Sequence, residues 1–399
     1  MKTINNYRII NKKVLLRVDL NVPVIDGNVT DRSRILSIKP TIEKLLKGNN
    51  KIFLLSHFGR PKGKYNKKFS LEFITDILCD ELKIEKINFI KKIEVDEIKK
   101  ALENTNNVQI NLFENTRFYL EEEENSLNFC KMLSKYFDIY INDAFSASHR
   151  EHASIVGITN FLPSLAGYGM MQESKNLNKF IDNPKKPNTA IIGGFKTSTK
   201  INILHNLIEN FDNVVIGGAM ANTFLVSQGY NVGISPYEKN LLNQANEIVL
   251  KSQNLSCNLI LPIDVVSSNN IKDTKNIKLS KTENILPDQM ILDIGDKTIK
   301  KISNIILKSN MILWNGPLGA FEYKPFDNST LKIANLIKKN SKILNIMTLA
   351  GGGDTISAIK MAKAEQSFTY ISNAGGAFLE WLEGKESPGF RALRNNKLS

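Results

Sequence analysis

Short apolar runs alternate along the chain with longer segments whose apolar positions recur every three or four residues. Runs of the first kind are typical of buried strands, and segments of the second kind are typical of amphipathic helices. In the first part of the chain this predicts strands at 14–23, 51–55, 108–112 and 139–141, with helices at 35–46, 71–82 and 126–136. Such an alternation indicates a parallel sheet with helices on both faces.

The second half repeats the alternation after a connecting segment. Residues 163–187 carry several prolines and glycines around one amphipathic stretch, so we interpret them as an interdomain connector containing a helix. Beyond the connector, predicted strands each precede a turn that contains glycine, at 189–192, 213–216, 311–314, 343–347 and 368–371. The sequence therefore predicts an α/β protein with two domains, as its length of 399 residues also favours.

Composition narrows the class of protein. No apolar run follows Met1 and no uninterrupted apolar stretch is long enough for a bilayer, so we expect neither a signal peptide nor a membrane span. The three cysteines are far apart, as expected of reduced thiols in a cytosolic protein. The net charge of +13 is compatible with nucleic-acid binding. However, the lysines are scattered along the chain, and we interpret them as a solvated basic surface.

Arginine is concentrated in the first 150 residues, and none occurs between residues 151 and 390. Because lysine supplies the general surface charge, we infer that arginine is kept for bidentate capture of phosphate or carboxylate. Arg60, Arg117 and Arg150 each follow a predicted strand at its carboxyl end, where ligands of open α/β sheets bind. His57 occupies a similar position. The first half is therefore predicted to bind a small polyanion.

The stretch 349–355, LAGGGDT, places three glycines between a predicted strand and a helix predicted over 356–365. Exposed backbone amides and the helix dipole make such a turn an anion site. Asp354 would repel a phosphate there unless Mg²⁺ bridged the two groups. A tight turn with Asp354 as the helix N-cap is the alternative.

Lys196 and Lys200 follow another glycine turn, Gly193 and Gly194, at a spacing that would place both ammonium groups on one helix face. Two solvated lysines are the alternative, but the preceding turn favours a phosphate site. The P-loop, the dinucleotide GxGxxG and the protein-kinase signatures are missing from the sequence. Together, the arginines of the first half and the glycine turns, lysines and Asp354 of the second half predict phosphoryl transfer between two bound ligands. The protein would act by positioning the ligands and neutralising their charge.

Ordered motifs along essentially the whole chain resemble those of the phosphoglycerate kinase family. The matching stretches are RVDLNVP at 17–23, SHFGRPKG at 56–63, ENTRF at 114–118, DAF at 143–145, HR at 149–150, GGFKTSTK at 193–200, MANTF at 220–224, WNGP at 314–317, FE at 321–322 and GGGDT at 351–355. The resemblance implies reversible phosphoryl transfer between 1,3-bisphosphoglycerate and ADP, which gives 3-phosphoglycerate and ATP.

The resemblance also implies roles for individual residues. Those that would hold the phosphoglycerate are Asp19, Asn21, Arg34, His57, Arg60, Arg117 and Arg150. Those that would hold the nucleotide are Lys200, Glu322, Gly352, Gly353, Asp354 and Thr355, with Mg²⁺ on Asp354. The adenosine pocket would be lined by Gly193, Gly194, Gly217, Gly218, Asn315 and Pro317. The transferring phosphoryl group would be stabilised by Arg34, Lys196, Lys200 and the helix N-terminus at Gly353.

Members of this family have two Rossmann-like lobes, each a parallel sheet with helices on both faces, joined by a hinge that closes. We therefore expect a phosphoglycerate-binding lobe at 1–168, a connector helix at 169–187, a nucleotide-binding lobe at 188–382 and a tail at 383–399 that returns to the first lobe. We also expect a cytoplasmic monomer that binds neither membranes nor specific nucleic acids.

Four positions depart from the usual family pattern. The family has Ser-Thr-Gly-Gly-Gly-Ala where this chain has SNAGGA at 372–377, which introduces Asn373 and Ala374. Ser146 replaces a glycine and Phe195 replaces a smaller residue. These changes bear on turnover and nucleotide preference. A nucleotide- or RNA-binding protein without catalysis, and a kinase for another small acceptor, remain as alternatives.

Overall fold

The computed structural model of the protein describes residues 1–103, 109–181 and 184–397. The chain divides into two compact units, one formed by Met1–Lys175 with Glu386–Ser399 and the other by Asn176–Lys385. Three groups of residues from the predictions above lie outside the described part: Val108 of the predicted strand 108–112, residues 182–183 of the connector and residues 398–399 of the tail.

The first unit is built on a parallel sheet flanked by helices. Its strands are β1 (Lys13–Arg17), β2 (Val24–Ile25), β3 (Asn28–Val29), β4 (Lys51–Leu55), β5 (Asn88–Ile90), β6 (Ile110–Phe113), β7 (Ile139–Asn142) and β8 (Ser164–Ala166). Its helices are α1 (Ser33–Leu46), α2 (Thr75–Leu82), α3 (Val95–Glu103), α4 (Leu120–Glu123), α5 (Leu127–Ser134) and the first part of α6 (Tyr168–Ile181). The sheet has the order β5-β6-β4-β1-β7-β8, while β2 and β3 form a separate hairpin.

The second unit contains a further parallel sheet, also flanked by helices. Its strands are β9 (Asn188–Ile192), β10 (Asn213–Ile216), β11 (Asn258–Ile260), β12 (Asp264–Ser268), β13 (Lys278–Lys281), β14 (Met290–Ile294), β15 (Met311–Asn315), β16 (Met347–Gly351) and β17 (Tyr370–Ser372). Its helices are α7 (Ile201–Asn210), α8 (Met220–Ser227), α9 (Leu242–Asn254), α10 (Asp296–Ile306), α11 (Asn328–Asn340), α12 (Gly353–Met361) and α13 (Gly376–Leu382). The parallel order is β11-β10-β9-β15-β16-β17, and β13-β12-β14 form a small antiparallel sheet.

Each unit has its own hydrophobic core beneath its parallel sheet. Leu16, Leu54 and Ile141 lie side by side on adjacent strands of the first sheet and are fully buried. In the second unit the core includes Ile191 and Trp314. The strands are apolar almost throughout, rather than alternating, because helices cover the sheets.

The C-terminal segment packs within the first unit. Helix α14 (Pro388–Asn395) begins with the Gly389 amide donating to the Ser148 carbonyl at 2.8 Å. The Phe390 ring meets that of Phe145 edge-on, with 5.4 Å between the ring centres. These contacts place the tail beside the loop that follows β7.

The predicted fold class is confirmed, since both halves form parallel sheets flanked by helices. The strand predicted at 343–347 is wrong. Ile343 is 75% exposed and Asn345 has the left-handed φ of 53°, so this run turns the chain after α11, and β16 begins at Met347. The first strand also ends earlier than predicted, at Arg17, which leaves the following residues outside the ladder.

The helix after the glycine run begins earlier than predicted, with Gly353 as its first residue. The glycines therefore do lie at a strand-to-helix turn. No helix in the described ranges combines the length and apolar character that a bilayer crossing requires.

Candidate functional site

Each parallel sheet reverses its strand order next to its first strand. In the first unit β1 lies between β4 and β7, and in the second β9 lies between β10 and β15. Connections leave such a point in opposite directions, so a crevice opens at the carboxyl ends of the strands, where ligands of open α/β sheets bind. Polar residues predicted as site residues follow these strands in both units.

Asp19 follows β1 and is held as a carboxylate in the first unit. One of its oxygens, Oδ2, pairs with the Arg34 Nη1 at 2.7 Å and accepts the Ser146 hydroxyl, while Oδ1 accepts the Asn21 amide at 2.9 Å. Burial alone would raise the pKa of Asp19, but the Arg34 charge and these hydrogen bonds lower it to about 2. Asp19 is thus a charged acceptor at neutral pH.

Asn21 links this carboxylate to the loop after β4. Its carbonyl accepts Arg34 Nη1 at 2.9 Å, and its Oδ1 accepts the Gly59 amide at 3.0 Å. Arg117 reaches the same loop from the carboxyl end of β6, since its Nη1 donates to the Gly59 carbonyl at 2.9 Å. The structure therefore brings together Asp19, Asn21, Arg34 and Arg117, which are four of the seven residues assigned to phosphoglycerate from the sequence.

Arg60 and Arg150 carry exposed side chains, and within the described ranges neither guanidinium has a hydrogen bond or ion pair to a protein group. Burial lowers the pKa of Arg117, and Arg150 lies near enough to act in the same direction. Both charges are left available to a ligand. This is the arrangement that a polyanion site requires, because a guanidinium already paired with a carboxylate has less to offer a phosphate.

Burial, together with nearby positive charge, suppresses the protonation of the histidines in this unit. Burial and then the nearby arginines lower the pKa of His152 to about 3. Burial and Arg150 also lower the pKa of His149, and burial with Arg17 lowers that of His57 well below its usual range. The same potential that disfavours a second positive charge attracts an anion.

In the second unit Lys200 occupies the crevice between β9 and β15. Its Nζ donates to the Gly193 carbonyl at 2.5 Å and to the Asn315 carbonyl at 3.1 Å, which are the residues after β9 and at the end of β15. Burial lowers the pKa of Lys200 to about 8, although the Asp354 carboxylate acts in the opposite direction. A third donor position of this ammonium group can face a ligand.

The glycine turn after β16 is tied to the turn after β15. Gly352 has a φ of +95°, which favours glycine, and its neighbour across the turn is the Asn315 amide. Asn315 Nδ2 donates to the Gly351 carbonyl at 2.7 Å, and the Thr355 hydroxyl accepts the Gly316 amide at 2.7 Å. The Thr355 hydroxyl therefore accepts from the protein backbone and keeps its own proton to donate. Gly353 and Asp354 begin α12 with exposed positions.

A cavity of about 210 Å³ lies next to these turns. Its lining includes five residues predicted for the nucleotide, Gly194, Gly218, Pro317, Glu322 and Asp354, together with Phe195. Much of the remaining wall is apolar and comes from Leu225, Pro236, Met290 and Leu292. The cavity suits a flat, largely apolar group that is joined to a charged chain near Asp354.

Some of the predicted residues act differently from expectation. Lys196 and Lys200 do not share a helix face, because α7 begins only at Ile201 and both lysines precede it. Lys196 is exposed. Gly193 and Gly217 do not line the cavity. A side chain at Gly193 would meet the Pro317 carbonyl oxygen at 1.9 Å, so close backbone packing requires glycine there.

The structure shows the surroundings of two of the residues that depart from the family pattern, Phe195 and Ala374. Phe195 is 67% exposed at the edge of the cavity. Ala374 is buried rather than directed to solvent, and its amide contacts the Ser372 hydroxyl at 3.3 Å. Its extra methyl group is thus accommodated inside the unit.

Sequence reasoning assigned no role to Arg17, Ser154 or Glu122, which are buried together beside His57. The available signal was a charged residue, Arg17, directly after the apolar run 14–16 of β1. No pattern in the sequence pointed to its partners.

Cys79, Cys130 and Cys257 are all free thiols. Within the described ranges, no three His, Cys, Asp or Glu side chains gather as metal ligands.

Two solved structures of kinases share this two-unit α/β fold. A phosphoglycerate kinase from Coxiella burnetii matches with a TM-score of 0.88 and 33% identity, over 99% of both chains. One from Pyrococcus horikoshii matches with a TM-score of 0.81 and 28% identity, over 99% of this chain and 98% of its own. The fold is thus one of kinases, which are transferases of phosphoryl groups.

The sequence comparisons give the family. The sequence model of the family "Phosphoglycerate kinase" matches residues 4–385. Proteins named phosphoglycerate kinase from Cereibacter sphaeroides and Rhizobium meliloti are each 44% identical, over 98% and 97% of this chain and 99% and 96% of their own. The chain belongs to the phosphoglycerate kinase family, and its function is that of a glycolytic, ATP-binding kinase. A role in RNA binding alone is not what these relatives support.

The buried ammonium group of Lys200 predicts a pH dependence of nucleotide binding. Below a pKa of about 8 the free protein carries the charge that attracts phosphate, and above it the charge is lost. We expect ADP affinity to fall by about tenfold between about pH 7.5 and about pH 9.5, measured by calorimetry in the presence of Mg²⁺. Lys200→Gln should bind weakly at both pH values. An affinity of the wild type that stays constant over this range would contradict the prediction.

Proposed function

We propose that the protein catalyses reversible phosphoryl transfer between 1,3-bisphosphoglycerate and ADP, giving 3-phosphoglycerate and ATP. The observation that carries this proposal is the set of charged residues at the strand-order reversal of the first unit. An ionised aspartate follows β1, and two guanidinium groups that have no protein partner among the described residues follow β4 and β7. A molecule with phosphate, carboxylate and hydroxyl groups matches that set of charges and acceptors.

In the first unit, phosphoglycerate is held by the residues that follow the strands. Arginines would bind its phosphate and carboxylate, and the Asp19 carboxylate would accept the hydroxyl group because it remains ionised. The residues assigned to this role are Asp19, Asn21, Arg34, His57, Arg60, Arg117 and Arg150. This assignment is supported by the hydrogen bonds and the ion pair around Asp19 and Gly59 that are described above.

In the second unit, the nucleotide lies with its base in the apolar cavity and its phosphates over the turns. Lys200 and the amide groups at the start of α12 supply positive charge to the phosphates. Glu322 and Asp354 line the cavity at its polar side. The residues assigned to nucleotide binding are Gly194, Lys200, Gly218, Asn315, Pro317, Glu322, Gly352, Gly353, Asp354 and Thr355. Gly193 and Gly217 would act indirectly, because they let the turns pack closely against Pro317 and Leu318.

Asp354 would hold Mg²⁺ as part of the metal–nucleotide complex. Its carboxylate is exposed at the start of α12, and one protein carboxylate suffices because Mg²⁺ takes its other oxygens from phosphates and water. When bound, the ion neutralises charge on the phosphate chain. The absence of a three-ligand cluster among the described residues fits a metal that arrives with the nucleotide.

Transfer needs no general base, because the attacking carboxylate or ADP phosphate is already ionised at neutral pH. The protein has to position the attacking and leaving oxygens and to stabilise the charge of the phosphoryl group during its transfer. We assign this to Arg34, Lys196, Lys200 and the amide of Gly353. A cytoplasmic monomer is the proposed form, and the free thiols fit a reducing compartment.

Arg34 provides the most direct test of the reaction. Arg34→Ala should lower kcat/KM for 3-phosphoglycerate-dependent MgATP consumption by about 100-fold or more, because it loses a charged donor to the reacting groups. Arg32→Ala is the matched control. Arg32 is an exposed residue that pairs with Glu81 at 2.8 Å, so its loss should change the rate by about twofold at most. Equal effects of the two substitutions would contradict the role of Arg34.

We further propose that binding of both ligands closes the two units by a hinge, since each unit carries only part of the machinery. Small-angle scattering should show a smaller radius of gyration with 3-phosphoglycerate and a non-hydrolysable MgATP analogue together than with either alone. A radius that does not change with both ligands bound would rule out closure.

A further inference from the structure

A buried guanidinium lies behind the proposed phosphoglycerate site, and no carboxylate among the described residues pairs with it directly. Arg17 ends β1 and is 1% exposed. Its Nε donates to the Ser154 hydroxyl at 2.9 Å, and that hydroxyl donates to Glu122 Oε1 at 2.6 Å. Glu122 is fully buried, and its other oxygen accepts the Ser154 amide at 2.9 Å. The charge of Arg17 is therefore balanced by Glu122 through one hydroxyl group.

The direction of each hydrogen bond in this chain is fixed by chemistry. A guanidinium only donates, so the Ser154 oxygen must accept from Arg17. The single proton of that hydroxyl is then free to go to Glu122, whose carboxylate only accepts. Tyr140 fixes the same residue from another side, because its hydroxyl donates to the Ser154 carbonyl at 2.6 Å. The Ser154 side chain is thus oriented by Arg17 and Glu122, while Tyr140 holds its backbone.

The other end of Arg17 determines the protonation of His57. Arg17 Nη2 lies 3.1 Å from His57 Nδ1, and this nitrogen must be the acceptor because the guanidinium offers no lone pair. A proton on Nδ1 would point at the N–H of Arg17. The imidazole is therefore neutral and carries its proton on Nε2, which is available as a donor.

We propose that Glu122 and Ser154 are positioning residues that hold Arg17 so that it fixes His57 as a neutral Nε2–H donor to an oxygen of phosphoglycerate. The inference rests on the proposed function for the role of His57, whereas the tautomer follows from the contacts alone. Without the Ser154 hydroxyl, Arg17 would lose its link to Glu122, and the Val18 carbonyl, which accepts from Arg17 Nη1, would be its remaining anchor besides His57. The guanidinium could then shift relative to His57 Nδ1. His57 would then sample both neutral tautomers, and one of them presents an acceptor to the ligand.

Competition for Glu122 from other cations is weak. His152 Nδ1 lies 3.8 Å from Glu122 Oε1, but the pKa of His152 is lowered to about 3 by burial and the arginines, so it is uncharged at neutral pH. Arg117 pairs instead with Glu123, at 3.4 Å. The Glu122 carboxylate therefore accepts from Ser154, and Ser154 links it to Arg17.

The test uses the full-length protein and two readouts. Long-range ¹H–¹⁵N spectra of the ligand-free wild type should show His57 with its proton on Nε2, and His57→Gln identifies the signals. Ser154→Ala removes only the hydroxyl and should give a mixture of tautomers. It should also raise KM for 3-phosphoglycerate by about 3- to 10-fold, the equivalent of one hydrogen bond, while kcat and KM for MgATP stay within about twofold.

A second variant and a control guard against a purely structural effect. Glu122→Gln should shift the tautomer and KM in the same direction as Ser154→Ala. Glu121→Gln changes the exposed neighbour on α4 and should leave both readouts as in the wild type. If Ser154→Ala and Glu122→Gln lower thermal stability but leave the tautomer and KM unchanged, the positioning role is overturned.

Two further outcomes separate this inference from the proposed function. A proton on His57 Nδ1 in the wild type would overturn the tautomer assignment whatever the activity. If the tautomer responds as expected but neither Ser154→Ala nor His57→Gln changes KM for 3-phosphoglycerate, the binding role proposed for His57 is overturned.

Discussion

The reversal of strand order beside the first strand of each sheet is the constraint on which both sites depend. Parallel pairing brings all the carboxyl ends of the strands to one edge, and the reversal leaves that edge open next to β1 and next to β9. Asp19 and Ser146 meet across the first opening, although 127 residues separate them in the chain. Lys200 bridges the second opening through two carbonyl groups. The chemistry of each unit is thus built on backbone topology.

The two units present positive charge at their strand ends in different ways. The first unit gathers guanidinium groups and suppresses the protonation of its histidines, so that its positive charge resides on groups that cannot lose it near neutral pH. The second unit uses backbone amides at a helix start and one ammonium group whose pKa is lowered to about 8. The first arrangement suits a small, highly charged molecule. The second suits a phosphate chain attached to an apolar group.

Much of the site could be predicted from the sequence because the residues involved follow apolar runs directly. Arg117 is placed by β6 and Lys200 by the turn after β9, so the strand pattern alone located them. Where the local pattern was ambiguous, prediction failed. The run at 343–347 is as apolar as a strand, but the left-handed Asn345 makes it a turn. The spacing of Lys196 and Lys200 suggested a helix face, although the helix begins only after both.

Contacts between distant parts of the chain could not be predicted. The link from Arg17 through Ser154 to Glu122 joins β1, the loop after β7 and α4, and none of these segments contains a signal for the others. The burial of the Ala374 methyl group likewise depends on packing that no local pattern reports. Contacts of this kind affect the protonation and orientation of individual side chains. A local sequence pattern can locate a site but does not report these properties.

The central claim is that the arginine crevice of the first unit is the phosphoglycerate site, and a crystal structure with 3-phosphoglycerate tests it most directly. We predict the ligand within hydrogen-bond distance of Asp19, Arg34 and at least two of Arg60, Arg117 and Arg150. Ordered ligand bound elsewhere in the protein, with these five side chains free of it, would contradict the claim.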